Sequence, residues 1–208
     1  MGAARATLWS AAGPVAERYG PNVSRQVFDF PAPDRFVAGT VGMPGERTFF
    51  LQARAGNQIT SVVAEKEQVA VLADRLDQLL DEVRDTRMPS VPIPDSGVVS
   101  DSDPLDMPIV EEFRVGAMAL GWDDSSDQVV VEVHAVSETP GDIPDIADDD
   151  QEGVDTLRVW LTPAYARAFA ARARAVVAAG RPPCPFCTQP LDPAGHICPR
   201  ANGYRRRS

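Results

Sequence analysis

The 208-residue chain lacks several features that would place it directly in a broad class of protein. It has no run of about 18 apolar residues, so the sequence predicts no membrane-spanning helix. The amino-terminal apolar stretch is short and is broken by Gly13 and Pro14, which makes it a poor secretory signal. Three cysteines, an odd and small number, do not suit a secreted disulfide framework. Together these absences predict a cytoplasmic protein.

Familiar catalytic motifs are also absent from the sequence. There is no G-x-x-x-x-G-K-S/T phosphate loop and no G-x-S-x-G nucleophile elbow. Only two histidines occur, and one of them, His134, stands in the alternating stretch V-E-V-H-A-V with Glu132 on the same face. We interpret His134 as a surface residue of a strand rather than as a general base. The sequence therefore predicts no catalytic residues.

The formal net charge of −10 is unevenly divided along the chain. Residues 156–208 contain nine arginines and a single acid, Asp192, so the remaining residues carry the whole acidic excess. A uniformly acidic protein would bind nucleic acid poorly. An acidic body with a basic carboxyl-terminal end instead suits docking to a partner.

The pattern of apolar residues predicts an α+β fold. Four short stretches between residues 27 and 64 are rich in β-branched and aromatic residues, which predicts an antiparallel meander of four strands. From Lys66 to Arg84, apolar residues recur at three- and four-residue steps and predict an amphipathic helix. This helix is expected to lie on the sheet.

The second half of the chain repeats this order of strands followed by a helix. Two predicted strands flank the turn D-D-S-S-D, a third is T-L-R-V-W-L, and a helix follows. Thr162 is a good N-cap, Pro163 fits the first helical position, and Gly180 ends the helix. We interpret the chain as two similar antiparallel β-meander-plus-helix units with a small C-terminal zinc knuckle, and the likeness of the units is either a duplication or chance.

The predicted organisation has five parts. They are a flexible amino-terminal extension at 1–23, a first unit at 24–85, a Pro-rich linker at 86–108, a second unit at 109–180 with an acidic loop at 137–155, and a zinc knuckle with a basic tail at 181–208.

The carboxyl-terminal motif carries the clearest chemistry. Its spacing, C-x2-C-x8-H-x-C, nominates Cys184, Cys187, His196 and Cys198 as the four ligands of one zinc ion. A thioredoxin-like C-x-x-C would follow a strand and open a helix, whereas this pair follows a helix. A closed set of four protein ligands leaves no position for water, so the zinc ion is predicted to be structural. We expect Phe186 and Leu191 to pack against the preceding helix.

A basic tail follows the last predicted ligand. Its arginines and its tyrosine could follow phosphates and stack on a base; they are Arg200, Tyr204, Arg205, Arg206 and Arg207. The alternative is a solvated chain end, or arginines that pair with the acidic body. We favour this alternative because chain ends are often charged for solubility.

Four stretches together resemble a known family. They are S-R-Q-V-F-D-F-P-A-P-D-R-F-V-A-G-T-V-G, F-R-V-G-A-M-A-L-G-W-D, L-R-V-W-L-T-P-A-Y-A-R-A-F-A and, most specifically, C-P-F-C with G-H-I-C-P-R-A-N-G-Y-R-R. The chain resembles an uncharacterised actinobacterial family known only as a domain of unknown function. The resemblance runs from about Ser24 to Arg206, and residues 1–23 depart from it. It implies one intact unit and carries no activity with it.

Three hypotheses for function follow from these observations. The first is a non-enzymatic protein-interaction module whose carboxyl terminus is locked by zinc. The second is a nucleic-acid-associated protein that uses the zinc knuckle and the arginine-rich tail. The third is an enzyme with a pocket between the two units, which acids with shifted pKa values converging on a cleft near His134 would support.

Overall fold

A computed structural model describes residues 7–10, 25–43, 45–87, 89–97, 101–137, 146, 153–180, 184, 186–187, 198 and 200. Within these residues the chain forms eight strands and two helices. The strands are β1 (Thr7–Ser10), β2 (Val27–Phe30), β3 (Arg35–Val41), β4 (Thr48–Ala55), β5 (Gln58–Ala64), β6 (Glu111–Asp123), β7 (Gln128–Ala135) and β8 (Thr156–Leu161), and the helices are α1 (Lys66–Thr86) and α2 (Pro163–Ala178). The predicted α+β class is confirmed.

The strands form one mixed sheet in the order β2-β8-β7-β6-β5-β4-β3. Two antiparallel meanders, β3-β4-β5 and β6-β7-β8, are joined through the parallel pair β5 and β6. β5 pairs with the beginning of the long strand β6, and β1 pairs antiparallel with residues 117–120 further along it. β6 therefore connects the two meanders into a continuous sheet.

The predicted four-stranded meander is wrong in its first strand. β2 pairs parallel with β8, at the opposite end of the sheet from β3. The link between β2 and β3 contains Pro31 and Pro33, which lack an N–H for a ladder, and it has no Gly or Asn to form a tight hairpin. The link thus carries the chain from one edge of the sheet to the other.

This short link also implies that the sheet is strongly curved. Six spacings of about 4.8 Å would put β2 and β3 about 29 Å apart in a flat sheet. The five residue steps from Phe30 to Arg35 can span at most about 18 Å. The two edges must therefore approach each other, and the side chains of Phe30 and Phe36 are buried in the same core.

The predicted flexible extension is also partly ordered. Thr7–Ser10 form β1, with Trp9 opposite Met118 of β6. β5 pairs with β6 only near residues 111–114, while β7 pairs with β6 from residue 115 onward. Beyond residue 114, the edge of β6 that faces away from β7 can therefore pair with β1. The rest of the predicted extension lies outside the described residues, as do residues 138–145 and 147–152 of the predicted acidic loop.

Both helices pack on one face of the sheet, as their apolar stripes predict. α1 buries Val69, Leu72, Leu76 and Leu80 in a core shared with α2 and with strands of both meanders. Thr162 caps α2 as predicted, because its side chain accepts a hydrogen bond from the N–H of Tyr165 at 3.3 Å. No helix in the described part of the chain is long and apolar enough to cross a membrane.

The opposite face of β3, β4 and β5 is covered by the end of the predicted Pro-rich linker. Leu105 packs with Val37, Phe50 and Val63. A Cβ atom placed on Gly39 would lie 2.6 Å from the Leu105 side chain, so only glycine leaves room at this position. The residues around Leu105 therefore form a layer on the sheet.

Buried arginines hold this layer in place. Arg35 binds Asp101 (Nε to Oδ2, 2.6 Å) and Asp106 (Nη1 to Oδ2, 2.8 Å), and Arg172 of α2 binds the other oxygen of Asp101 at 2.7 Å. The hydrogen bond from Arg35 lowers the pKa of Asp101 to about 2. Charge-assisted bonds of this kind order a segment that has no regular secondary structure.

Side chains of α2 close the outer edge of the sheet at β3. The N–H of Phe36 donates to the Tyr165 hydroxyl at 2.5 Å, and Arg172 Nε donates to the carbonyl of Ala38 at 3.0 Å. Unpaired backbone groups at a sheet edge readily accept another strand. These two contacts protect β3 from such pairing.

Candidate metal centre

Three of the four predicted ligands come together in the structure. The Sγ atoms of Cys184, Cys187 and Cys198 all lie within 4.8 Å of one another, and this group could hold a metal ion. Residues 184, 186–187, 198 and 200 are referred to below as the cysteine knuckle. The fourth predicted ligand, His196, lies outside the described residues, and its role remains a prediction.

The spacing of the sulfur atoms fits a tetrahedral metal site. Cys184 Sγ and Cys198 Sγ are 3.7 Å apart. Thiolates that bind a tetrahedral zinc ion at about 2.3 Å lie about 3.8 Å from each other. A disulfide would need about 2.05 Å, and none of the three cysteines forms one. The arrangement therefore suits shared coordination rather than a disulfide.

The backbone around Cys184 favours its thiolate form. Burial raises the pKa of the Cys184 thiol, but hydrogen bonds from the N–H groups of Cys187 and Phe186 and from the Cys187 and Cys198 side chains together hold this pKa below its ordinary value. The Phe186 N–H donates to Cys184 Sγ at 3.4 Å. The thiolate is the form that binds metal, and hydrogen bonds from outside the coordination sphere orient such ligands.

The expectation that Phe186 packs against the preceding helix is wrong. Its side chain is 61% exposed. The backbone provides the physical reason, because the N–H of Phe186 points to Cys184 Sγ while its carbonyl accepts a hydrogen bond from Arg200 Nη1 at 3.2 Å. With both backbone groups directed into the knuckle, the ring is left on the outside. Leu191 lies outside the described residues.

Only the first residue of the predicted basic surface can be placed. Arg200 is exposed, and its contact with the carbonyl of Phe186 joins the two halves of the cysteine knuckle. Tyr204, Arg205, Arg206 and Arg207 lie outside the described residues. Nothing in the structure tests whether they bind a partner.

The interpretation of His134 as a surface residue is also wrong. His134 and Glu132 have no exposed surface. Val129, Val131 and Val133 alternate with them and face the helices, so His134 and Glu132 point to the other side of the sheet. Alternation predicted that this second side would be solvated, but it is buried.

His134 belongs to a buried polar cluster on β7 and β8. Its Nδ1 lies 3.0 Å from Thr156 Oγ1, and its Nε2 lies 3.5 Å from Glu132 Oε2. Arg158 Nε donates to Glu132 Oε1 at 2.5 Å, and Arg25 Nε donates to Thr156 Oγ1 at 3.3 Å. The strand register places Glu132 opposite Arg158 and His134 opposite Thr156. In the sequence, the signal for this cluster is the presence of complementary polar residues at the matching positions of the two predicted strands.

Electrostatics keeps His134 neutral. Burial, together with the smaller effects of the nearby Arg25 and Arg158 charges, lowers the pKa of His134 to about 4. A neutral imidazole donates from one nitrogen and accepts at the other. The cluster orders a carboxylate, an imidazole and a hydroxyl, but none of the three has exposed surface for a substrate.

Comparison with known proteins gives a family but no activity. A family model described as "Protein of unknown function (DUF3090)" matches residues 28–198. The chain belongs to this family. The match includes β2 from its second residue, strands β3 to β8, both helices and the three clustered cysteines, and it confirms the resemblance to a family of unknown function. No curated protein and no solved structure matched the chain.

The buried cluster of this DUF3090 protein predicts a specific loss of stability in acid. The pKa of His134 is lower in the folded than in the unfolded chain, so the unfolded chain binds more protons between about pH 6.5 and about pH 4. Stability should therefore fall as pH drops through this window, by on the order of 3 kcal/mol from this residue. Urea unfolding at about pH 7 and about pH 5 measures the upper part of this window, about 2 kcal/mol, and His134→Gln should reduce it. An equal loss in wild type and variant would assign the effect to other groups.

Proposed function

We propose that this DUF3090 protein is a non-enzymatic interaction module whose carboxyl terminus is locked by one structural zinc ion. The ligands are Cys184, Cys187, Cys198 and His196. The observation that carries the proposal is the tetrahedral spacing of the sulfur atoms, with Cys184 Sγ and Cys198 Sγ 3.7 Å apart. Soft thiolate ligands in a Cys3His set are typical of structural zinc.

A closed ligand set supports a structural rather than a catalytic role for the ion. Catalytic zinc keeps one position for water, whereas three cysteines and one histidine occupy all four. The zinc ion would join residues 184–187 to residue 198 and close the chain between them. Cys184 follows the end of α2 by six residues, so the closed loop is attached directly to the helix-bearing body.

The absence of enzymatic chemistry is supported by the surroundings of the acid–base groups. In the described residues, His134 and Glu132 are fully buried, and Asp101 is held by Arg35 and Arg172. The two β-β-β-α units of the sequence interpretation would correspond to β3-β4-β5-α1 and β6-β7-β8-α2. One core contains residues of both halves, which argues against an enzyme pocket between them.

The partner that we propose for the module is a protein, as the acidic body and basic end suggest. The test uses full-length zinc-loaded protein as bait in nuclease-treated cell lysate, with Cys184→Ser as the metal-free bait. We expect a defined protein on the zinc-loaded bait, weakened on the variant, that binds again when both components are purified. Recovery of nucleic acid alone from untreated lysate would contradict a protein partner.

A second candidate, nucleic-acid binding, has one specific observation in its favour. The exposed ring of Phe186 lies on the same knuckle as Arg200, whose guanidinium contacts the Phe186 backbone. An aromatic ring beside an arginine is typical of proteins that bind single strands.

A further inference from the structure

Phe186 combines an exposed side chain with a fixed backbone. Its ring is among the most exposed large apolar groups of the described residues, at 61%. Its N–H is held by Cys184 Sγ and its carbonyl by Arg200 Nη1. A residue whose backbone is already fixed loses less conformational freedom when its side chain binds a ligand. The knuckle therefore presents an aromatic surface that is prepared for contact.

Arg200 places positive charge at the backbone carbonyl of Phe186. One N–H group of its guanidinium binds the Phe186 carbonyl, and the residue is otherwise exposed. A guanidinium carries five N–H donors, so the remaining donors can contact a phosphate. The charge of the surrounding sequence is also favourable, with nine arginines and one acid in residues 156–208.

We propose that Phe186 and Arg200 form a binding site for single-stranded nucleic acid. One base stacks on the Phe186 ring, and the neighbouring phosphate contacts the Arg200 guanidinium. This site depends on the proposed zinc ion, because the ion would hold Cys184 and Cys198 in the positions that order both residues. It develops the second candidate function, nucleic-acid binding, by naming the ligand and the two side chains that contact it.

Two physical arguments favour a single strand over other anions. Stacking needs a free base face, which a duplex conceals and an acidic peptide lacks. The acidic body does not prevent binding, because the Debye length is only about 8 Å at physiological salt and more distant charges are screened. The body should nevertheless keep the affinity low and the salt dependence steep.

The test measures fluorescence anisotropy of labelled oligothymidylate and oligouridylate, each of about 20 nucleotides, with zinc-loaded full-length protein. Binding should weaken between about 50 and about 200 mM salt. Phe186→Ala should weaken binding about 5- to 150-fold, whereas Phe186→Tyr should retain it. Arg200→Gln should lower the slope of log affinity against log salt by about 0.7, the value for one phosphate on a single strand.

Met43 supplies a matched control. It is also an exposed apolar residue, at 68%, and lies in the link between β3 and β4. Met43→Ala should leave oligonucleotide affinity unchanged. Zinc content of each variant is measured in parallel, and Phe186→Ala should keep its zinc because the contacts that order the knuckle come from its backbone.

Three results would overturn the site. They are the absence of binding by zinc-loaded protein, equal affinity of wild type and Phe186→Ala, and equal affinity for single strands and a duplex of the same length. Knuckle-dependent capture of a protein with no oligonucleotide binding would assign the surface to a protein partner instead. A purified chain without zinc would refute the proposed function itself. Zinc-loaded protein that does not bind the oligonucleotides would refute only this site.

Discussion

Replacing Cys184 by serine is expected to abolish tight zinc binding and to destabilise the end of the chain. Zinc contributes an apparent binding free energy of about 10–16 kcal/mol to isolated zinc-finger peptides near neutral pH, and this binding energy is also folding energy. Removal of the Cys184 thiolate leaves three ligands. It also removes the hydrogen bond that the Phe186 N–H donates to Cys184 Sγ. Wild type should contain about one zinc ion per chain by elemental mass spectrometry, and the variant should contain none after dialysis against a chelator.

Two histidines provide a matched comparison for this experiment. His196→Gln should lose zinc like Cys184→Ser, since His196 is the predicted fourth ligand. His134→Gln should keep its zinc, because His134 lies in the buried cluster on β7. Hydrogen exchange should report faster exchange at the end of α2 in the two variants that lose zinc. Full zinc retention in Cys184→Ser would remove Cys184 from the ligand set.

Breaking the buried pair of Arg158 and Glu132 is expected to give the second large effect. Both side chains are buried, and Arg158 Nε donates to Glu132 Oε1 at 2.5 Å. Arg158→Met leaves the buried carboxylate without this bond, which typically costs about 3–5 kcal/mol. The double variant Glu132→Leu with Arg158→Met should regain most of that loss, because it removes both charges. Urea unfolding at about pH 7 measures the free energies.

An exposed pair provides the control for this measurement. Arg114 Nη1 and Glu65 Oε1 also form an ion pair, at 3.0 Å, but both side chains are largely solvent-accessible. Arg114→Met should cost less than about 1 kcal/mol, as surface pairs generally do. If Arg158→Met cost no more than Arg114→Met, the buried cluster would not be a significant source of stability.

Local patterns predicted the parts of the fold that depend on near neighbours. The apolar stripe of α1 alone indicates both its length and its buried face, and Thr162 caps α2 as a residue of its type at that position should. The grouping of the three cysteines followed from their spacing, because chelation by a C-x2-C pair is a local property.

Features that depend on distant packing could not be predicted in this way. Alternation along β7 shows that Glu132 and His134 share a face, but it cannot show whether that face is covered. The same limit explains β2, whose partner β8 lies more than a hundred residues away in sequence. Phe186 was misplaced because residue type favoured burial, whereas hydrogen bonds of its own backbone decide where its ring lies.

The coordination of the metal tests the central claim most directly. X-ray absorption spectroscopy at the zinc edge, on full-length protein purified without added metal, reports the identity and distance of the ligands. The account predicts three sulfur atoms at about 2.3 Å and one nitrogen at about 2.0–2.1 Å. A metal-free protein that is equally well folded, or a zinc ion with an oxygen ligand in place of sulfur, would contradict it.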